Sequence, residues 1–353
     1  MATPLSVLPS ALPAYPKAPA TLARLQAFRA GLHACCTRRA DALVDLADAL
    51  LSAPGPVASL PQLSLEPTHR RGWGSTYAGL ACGRIDAERL CDLLVGCLPH
   101  DDPLVFAVDV TTWPRCDAEC SPERGLYYHP SRHSAGQPIV AGWAFQWICQ
   151  LSFARDSWTA PVDARRLHPL DDTDQTAAVQ IRALLARLPA GRPVPWLVFD
   201  AGYDSAQLSL DLTKAPVAVL VRLRADRCFY HDPPPPPPGK TGRPRRHGAK
   251  FAFADPATWP VPTATLHTTD QQYGTVTVHA WAGLHPSSTA TLATAAVDHA
   301  RSCAGTIGRV LSSGSRLQRA RRRCCGCGGP APRTASWIST WRGGPTPAGS
   351  TAK

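Results

Sequence analysis

Apolar residues recur at helical spacing from Thr21 to Leu51, where Leu22, Leu25, Phe28, Leu32, Cys35, Leu43, Leu46 and Leu50 predict one buried face. Arg24, Arg38, Arg39 and Asp41 decorate much of the rest. A second helical stretch follows Arg84-Ile85-Asp86 and turns Leu90, Leu93, Leu94 and Leu98 inward. Between them lies His69-Arg70-Arg71-Gly72-Trp73-Gly74, basic and aromatic. That loop suits either an exposed connection between helices or contact with a polyanion backbone.

From Pro103 to Arg224 the period changes. Branched and aromatic runs at Leu104–Val110, Ala144–Phe153, Val194–Phe199 and Val217–Leu223 predict strands. Thr173–Leu188 predicts an amphipathic helix buried through Ala177, Ile181, Leu184, Leu185 and Leu188, and Ser205–Leu212 a shorter one. Strands, helix, strand, helix, strand in that order indicate an α/β chain with a ribonuclease H-like mixed sheet, in preference to a sandwich or barrel.

At His231 the text changes again. Pro233–Pro238 is a stiff polyproline run, followed by Lys240, Arg243, Arg245, Arg246 and Lys250. Gly242-Arg243-Pro244-Arg245-Arg246 is like segments that lay arginines in a narrow minor groove, and a bare basic linker fits it equally. Thr263–Ala282 alternates as a hairpin with Gln271-Gln272-Tyr273-Gly274 at its turn, and beyond His285 the periodicity fades. The expected organisation is therefore a disordered leader (1–20), a helical region (21–100), a ribonuclease H-like core (101–230), a Pro/Arg-rich linker (231–250), a β-hairpin insertion (251–286) and a low-complexity, disordered basic tail (287–353).

Charge sharpens this division. Residues 1–230 hold 22 Lys+Arg and 22 Asp+Glu, so the +11 of the chain comes from 231–353, with 15 against 4. A basic segment of this kind attracts phosphate backbones without sequence preference, although a solvated tail has the same composition. No apolar run of membrane-spanning length and no signal-like start is evident, so a soluble, cytoplasmic protein with no membrane partner is expected. The 13 scattered cysteines then read as reduced thiols.

Two of the strands end in an acid: Pro-Leu-Val-Phe-Ala-Val-Asp109 and Val-Pro-Trp-Leu-Val-Phe-Asp200. Either aspartate alone suits a turn or a helix cap, whereas a pair at the carboxyl ends of strands can share metal ions. Val-Phe-Ala-Val-Asp109-Val-Thr-Thr-Trp113 and Val-Phe-Asp200-Ala-Gly202-Tyr203-Asp204 resemble the first two acidic motifs of DDE transposases from bacterial insertion sequences. Trp143-Ala-Phe-Gln146-Trp147 and Ser157-Trp158-Thr-Ala-Pro161-Val-Asp163 add to the resemblance, which extends over about Leu22 to Pro286. It implies Asp109 and Asp200 as catalytic ligands of two Mg²⁺ ions, DNA ends and target DNA as partners, nucleoid association, and a homodimer as a compatible assembly. Arg222 and Arg224 join Lys240, Arg243, Arg245, Arg246 and Lys250 as candidate DNA contacts; Asp204 fits a helix N-cap better than a ligand.

The resemblance also requires a third acid, a glutamate on a helix beside the sheet. The glutamates are Glu66, Glu88, Glu119 and Glu123, with none afterwards, and Asp255, Asp270 and Asp298 lie in no helical pattern. Arg321-Arg-Arg-Cys-Cys-Gly-Cys-Gly-Gly329 is too crowded in cysteine for one tetrahedral metal site. A reading-frame slip near Pro286 accounts for both features, because the shifted codons permit Trp- and Glu-bearing text like that of the family. The expectation is thus a transposase lacking its third acid, with a non-catalytic DNA-binding inhibitor of transposition as the rival and a housekeeping nuclease disfavoured.

Overall fold

A computed structural model of the chain describes residues 18–57, 59–99, 103–128, 138–152, 159–235, 237–239, 242, 245–270, 274–286, 305–312 and 334–342. It divides into two compact units, Met1–Leu98 and Pro99–Lys353. The leader up to residue 17, Ser157 and Trp158, the hairpin turn 271–273, Asp298 and the cysteine-rich run 321–329 lie outside the described residues. No helix among the described residues is long and apolar enough to cross a membrane.

The first unit is helical: α1 (Ala18–Cys35), β1 (Cys36–Arg38), α2 (Ala40–Ser52), α3 (Leu60–Leu63), α4 (Trp73–Cys82), β2 (Arg84–Ile85) and α5 (Ala87–Gly96). The continuous apolar face expected from Thr21 to Leu51 is interrupted. Cys36–Arg38 pairs antiparallel with Arg84–Ile85, and Arg39 takes a left-handed backbone (φ 58°) before α2 begins. Leu22, Leu25 and Leu50 are exposed, a correction to the expected buried face. The contacts that close this unit instead use small residues: Ala42 and Ala49 on α2 are buried, and a Cβ on Gly79 of α4 would stand 3.3 Å from that of Ala42. Counting leucines missed this, because helices that approach closely select alanine and glycine. The basic loop is bound internally, with Arg71 reaching Asp41 (3.1 Å) and the buried Asp45 (3.5 Å), and Arg70 reaching Asp45 (3.7 Å).

The second unit is built on β3 (Val105–Pro114), β4 (Gly125–Tyr128), β5 (Ile139–Leu151), β6 (Thr159–Leu167), α6 (Thr173–Arg187), β7 (Trp196–Phe199), α7 (Ser205–Asp211) and β8 (Ala218–Leu223). Its core strands run β6-β5-β3-β7-β8, antiparallel as far as β3 and parallel from β3 through β7 to β8. This is the ribonuclease H-like sheet expected from the order of elements. The strands alternate as the pleat requires. Phe106, Val108, Ile148, Leu197 and Phe199 are buried on one face, and α6 supplies the buried Ala177, Ile181 and Leu184. Gln180 of α6 donates to the Gln146 carbonyl of β5 (3.4 Å), so a buried amide ties helix to sheet. Each large apolar side chain hidden here contributes about 1.5–3 kcal/mol.

Beyond β8 the sheet continues through β9 (Cys228–Tyr230), β10 (Lys250–Ala252), β11 (Ala264–Asp270), β12 (Gly274–Pro286), β13 (Gly305–Ser312) and β14 (Thr334–Arg342). β11 and β12 form the expected hairpin. Two expectations are corrected. Residues 231–250 do not link separate bodies: β10 pairs with β9, Lys250 opposite Tyr230, so the chain before and after the polyproline stretch joins in one sheet. Nor is the 287–353 stretch without packed elements. β13 pairs with β12, and β14 lies between β13 and β8, with Trp337 opposite Leu223. Ile307 is 1% exposed in a second core with Leu223, Phe229, Phe251, Phe253, Trp281 and Leu284. The open edges of β8 and β12 supply the reason, since unpaired strand edges recruit partners even from compositionally poor text.

Candidate active site

β3 and β7 lie side by side and parallel, with Val105 to Val108 level with Trp196 to Phe199. The next residue on each strand is an aspartate. Asp109 and Asp200 therefore leave adjacent strands at one level, and because Val108 and Phe199 are buried, both acids project to the opposite face. Both are exposed residues, yet protein atoms around the Asp109 carboxyl raise its pKa by burial; the Val110 N–H opposes this and the charge of Asp200 adds to it. Oδ1 of Asp109 accepts from the Val110 N–H (2.8 Å), and Oδ1 of Asp200 accepts from the Gly202 N–H (2.8 Å). The second contact needs glycine: a Cβ at residue 202 would stand 2.9 Å from the Asp200 Oδ1.

The same turn presents Tyr203. Its ring is 5% exposed and sits edge-on to Phe199 with centroids 5.0 Å apart. Its hydroxyl has no hydrogen-bond partner among the described residues. Burial pushes the phenol far above its ordinary range, and the charges of Asp109, Asp200 and Asp174 push it further. Sequence reasoning quoted Tyr203 within a motif but gave it no part, and it missed Asp174 altogether. Asp174 lies in the first turn of α6, where an acid reads as ordinary helix-start chemistry. Burial first, then the charges of Asp204, Asp172 and Asp211, raise its pKa to about 6, against the opposing hydrogen bond from the Asp204 N–H (3.2 Å).

The acids thus form two groups. Asp172 and Asp204 are N-caps, accepting from the Gln175 N–H (3.0 Å) and the Ala206 N–H (2.8 Å), which fulfils the capping expectation for Asp204. Asp255 caps the short turn Pro256–Thr258 by accepting from the Ala257 N–H. Among the described residues no group of three or more His, Cys, Asp or Glu could hold a metal ion, so Asp109 and Asp200 stand as a pair.

The basic candidates are spread more widely. Arg222 is exposed on β8; the register pairs Phe199 with Val221, which puts Arg222 level with Asp200 on the acid-bearing face. Arg224 is exposed just past that strand, and Arg245, Arg246 and Lys250 are exposed at the return of the hairpin loop. Lys240 and Arg243 lie outside the described residues. The base of the loop is fastened by the His231 N–H to the Ala249 carbonyl (3.0 Å), the Gly248 N–H to the His231 carbonyl (2.8 Å), and the His247 ring over Tyr230 at 4.7 Å.

A family model described as DDE superfamily endonuclease matches residues 31–286, and the chain belongs to that family. No curated protein matches the chain. The matched span contains both acid-ended strands and α6, α7 and β8 between and after them. Membership implies nuclease chemistry of the transposase type on DNA, assisted by divalent metal ions.

Proposed function

Starting from membership of the DDE superfamily endonucleases, we propose that this chain is a transposase of a bacterial insertion sequence, built to cut and join DNA strands through Asp109 and Asp200. One observation carries the reading: the two acids end adjacent parallel strands at the same level, and the charge of Asp200 reaches the Asp109 carboxyl. Their oxygens are hard donors that suit Mg²⁺, and a cation between them offsets the repulsion and burial that raise the Asp109 pKa. When bound, a pair of divalent ions activates water or a DNA 3′-hydroxyl and stabilises the departing oxygen. The chain's own part is positional. The Gly202 N–H holds one oxygen of Asp200 and the Val110 N–H one oxygen of Asp109, while Arg222 stands where it can meet the phosphate backbone.

The third acid is the weak point. No glutamate follows Glu123, and the described residues bring no third ligand to the pair. With one anionic ligand fewer, two divalent cations cannot both be held against the charge of DNA. The 353-residue chain therefore binds DNA through its basic loop and does not cut it, which gives it the character of an inhibitor of transposition. The test is incubation of the full chain with DNA carrying the element's ends in Mg²⁺ or Mn²⁺. Binding without strand cleavage is expected. Metal-dependent cleavage that disappears in Asp109→Ala would overturn the claim of incompleteness, and absence of DNA binding would overturn the transposase reading.

A further inference from the structure

Where an antiparallel sheet leaves one face to water, that face is ordinarily polar. The face that carries Asp109 departs from this. The register sets Asp109 opposite Trp147, Thr111 opposite Phe145 and Trp113 opposite Trp143, so four aromatic rings of β3 and β5 share the side on which the acid projects. The three rings on β5 are half-buried, and Trp113 is 52% exposed. Trp143 is fixed from two directions: its Nε1 donates to the Pro122 carbonyl (3.2 Å), and the Arg166 guanidinium lies 5.3 Å from its ring centre. Arg166 pairs in turn with Glu123 (2.9 Å), which balances the charge at that corner. Trp113 leans on Phe145 with ring centroids 5.6 Å apart and keeps the rest of its surface free. The same registers make a row across the sheet at one level, from Trp147 through Asp109 and Asp200 to Arg222. An aromatic ring thus flanks the acid pair on one side and an exposed cation on the other.

We propose that this aromatic face seats unpaired bases of the DNA strand next to the phosphate that lies at Asp109 and Asp200, with Trp113 as the principal stacking ring. This rests on the reading of that pair as the place where DNA is cut. A paired duplex keeps its bases stacked on one another, so a ring beside the cleavage point meets a base only where the strand has opened. Every base offers a flat π-face, and stacking on an aromatic side chain is tolerant of sequence. The family acts on DNA, and a strand whose phosphates reach the acids and Arg222 carries its bases onto the neighbouring rings of the same face. Trp113 stands four residues beyond Asp109, about 14 Å along β3 at ~3.4 Å per residue, so it meets a base further along the strand than Trp147 does. With Arg166 already answered by Glu123, attraction to this face comes from stacking and not from net charge.

The experiment compares the full chain with Trp113→Leu, which keeps an apolar side chain against Phe145, and Trp113→Phe, which keeps a stacking ring. Binding of a short oligothymidine strand and of a fully paired duplex of the same length is read by fluorescence anisotropy over a salt series without divalent metal, with urea unfolding and sedimentation alongside. Trp113→Leu is expected to weaken single-strand binding about 5- to 150-fold, the range for one lost base stack, and duplex binding by less than about twofold. The slope of log K against log salt stays that of the parent, because no cation has been removed. Trp113→Phe recovers most of the single-strand affinity. Unaltered single-strand affinity in Trp113→Leu overturns the proposal. So do equal losses on both DNAs with lowered urea stability, which would make the ring structural, and a changed oligomeric state, which would make the face a contact between copies. If the parent binds neither DNA, the transposase reading fails and this inference falls with it. A parent that binds both, with Trp113→Leu indistinguishable from it, removes this inference alone.

Discussion

Asp174 gives the sharpest quantitative expectation. Its carboxyl lies among Asp172, Asp204 and Asp211 in a partly buried site, and its pKa is raised from 3.8 to about 6. Between those two values the folded state holds a proton that the unfolded chain has released, so stability falls as pH rises through the window and levels off above about 6. About two pH units at ~1.4 kcal/mol each set an upper limit of about 3 kcal/mol on the penalty at neutral pH. The favourable position of an anion at the start of α6 recovers about 0.3–1 kcal/mol when the group is charged. Asp174→Asn keeps the side-chain oxygen that accepts from the Asp204 N–H while removing the charge. Urea unfolding at pH 4.5 and 7.5 should show a smaller loss of stability between the two pH values in the variant than in the parent. At pH 7.5 the variant should be more stable by about 1–2 kcal/mol, the limit reduced by the lost helix-terminus interaction and by partial solvent screening. Equal pH dependence in the two proteins, or a variant less stable than the parent at pH 7.5, would refute the assignment of that penalty to Asp174.

Two further outcomes test other parts of the molecule. Ile307 is 1% exposed in the second core, so Ile307→Ala should lower stability by about 2–5 kcal/mol in urea unfolding, whereas a change near zero would remove β13 from the packed sheet. Arg245→Ala with Arg246→Ala should weaken DNA binding uniformly across sequences and flatten the dependence of log K on log salt by up to about two, read by fluorescence anisotropy over a salt series; an unaltered slope takes the loop out of the interface.

The sheet core was legible because its signals are local. Val105 to Val108 and Trp196 to Phe199 are short runs suited to burial from both sides, and α6 repeats apolar residues at a helical interval, so elements and order could be read directly. The adjacency of Asp109 and Asp200 follows from parallel pairing of two strands separated by an intervening α/β passage, which spacing alone suggests but cannot fix. Three features were hidden for different reasons. Close helix approach through Ala42 and Gly79 leaves no large-residue pattern. The strands at Gly305–Ser312 and Thr334–Arg342 obtain their order from neighbours, β12 and β8, rather than from strong alternation of their own. Tyr203 becomes noticeable only when its hydroxyl is seen to lack a partner, a property of three-dimensional surroundings.

Electrostatics separates the two acid groups by purpose. Asp172 and Asp204 sit at the N-termini of α6 and α7, where backbone N–H groups donate to their carboxylates and the helix dipole favours the charge. Asp109 and Asp200 stand at the ends of strands, and a sheet offers no comparable dipole. Each engages Oδ1 with a nearby backbone N–H, and the Oδ2 of each has no hydrogen bond among the described residues. They also occupy the less covered side: along β5, Val140, Ala144, Gln146, Ile148 and Gln150 are buried, while Trp143, Phe145, Trp147 and Cys149 on the acid-bearing face are only half-buried. A carboxylate pair without a helix terminus to compensate it, in which burial and then the charge of Asp200 raise the Asp109 pKa, fits the proposed recruitment of a cation better than a contribution to folding. Asp172 and Asp204 already have backbone N–H partners, which is why Asp109 and Asp200, and not the more numerous acids around Asp174, are the proposed ligands to mutate first.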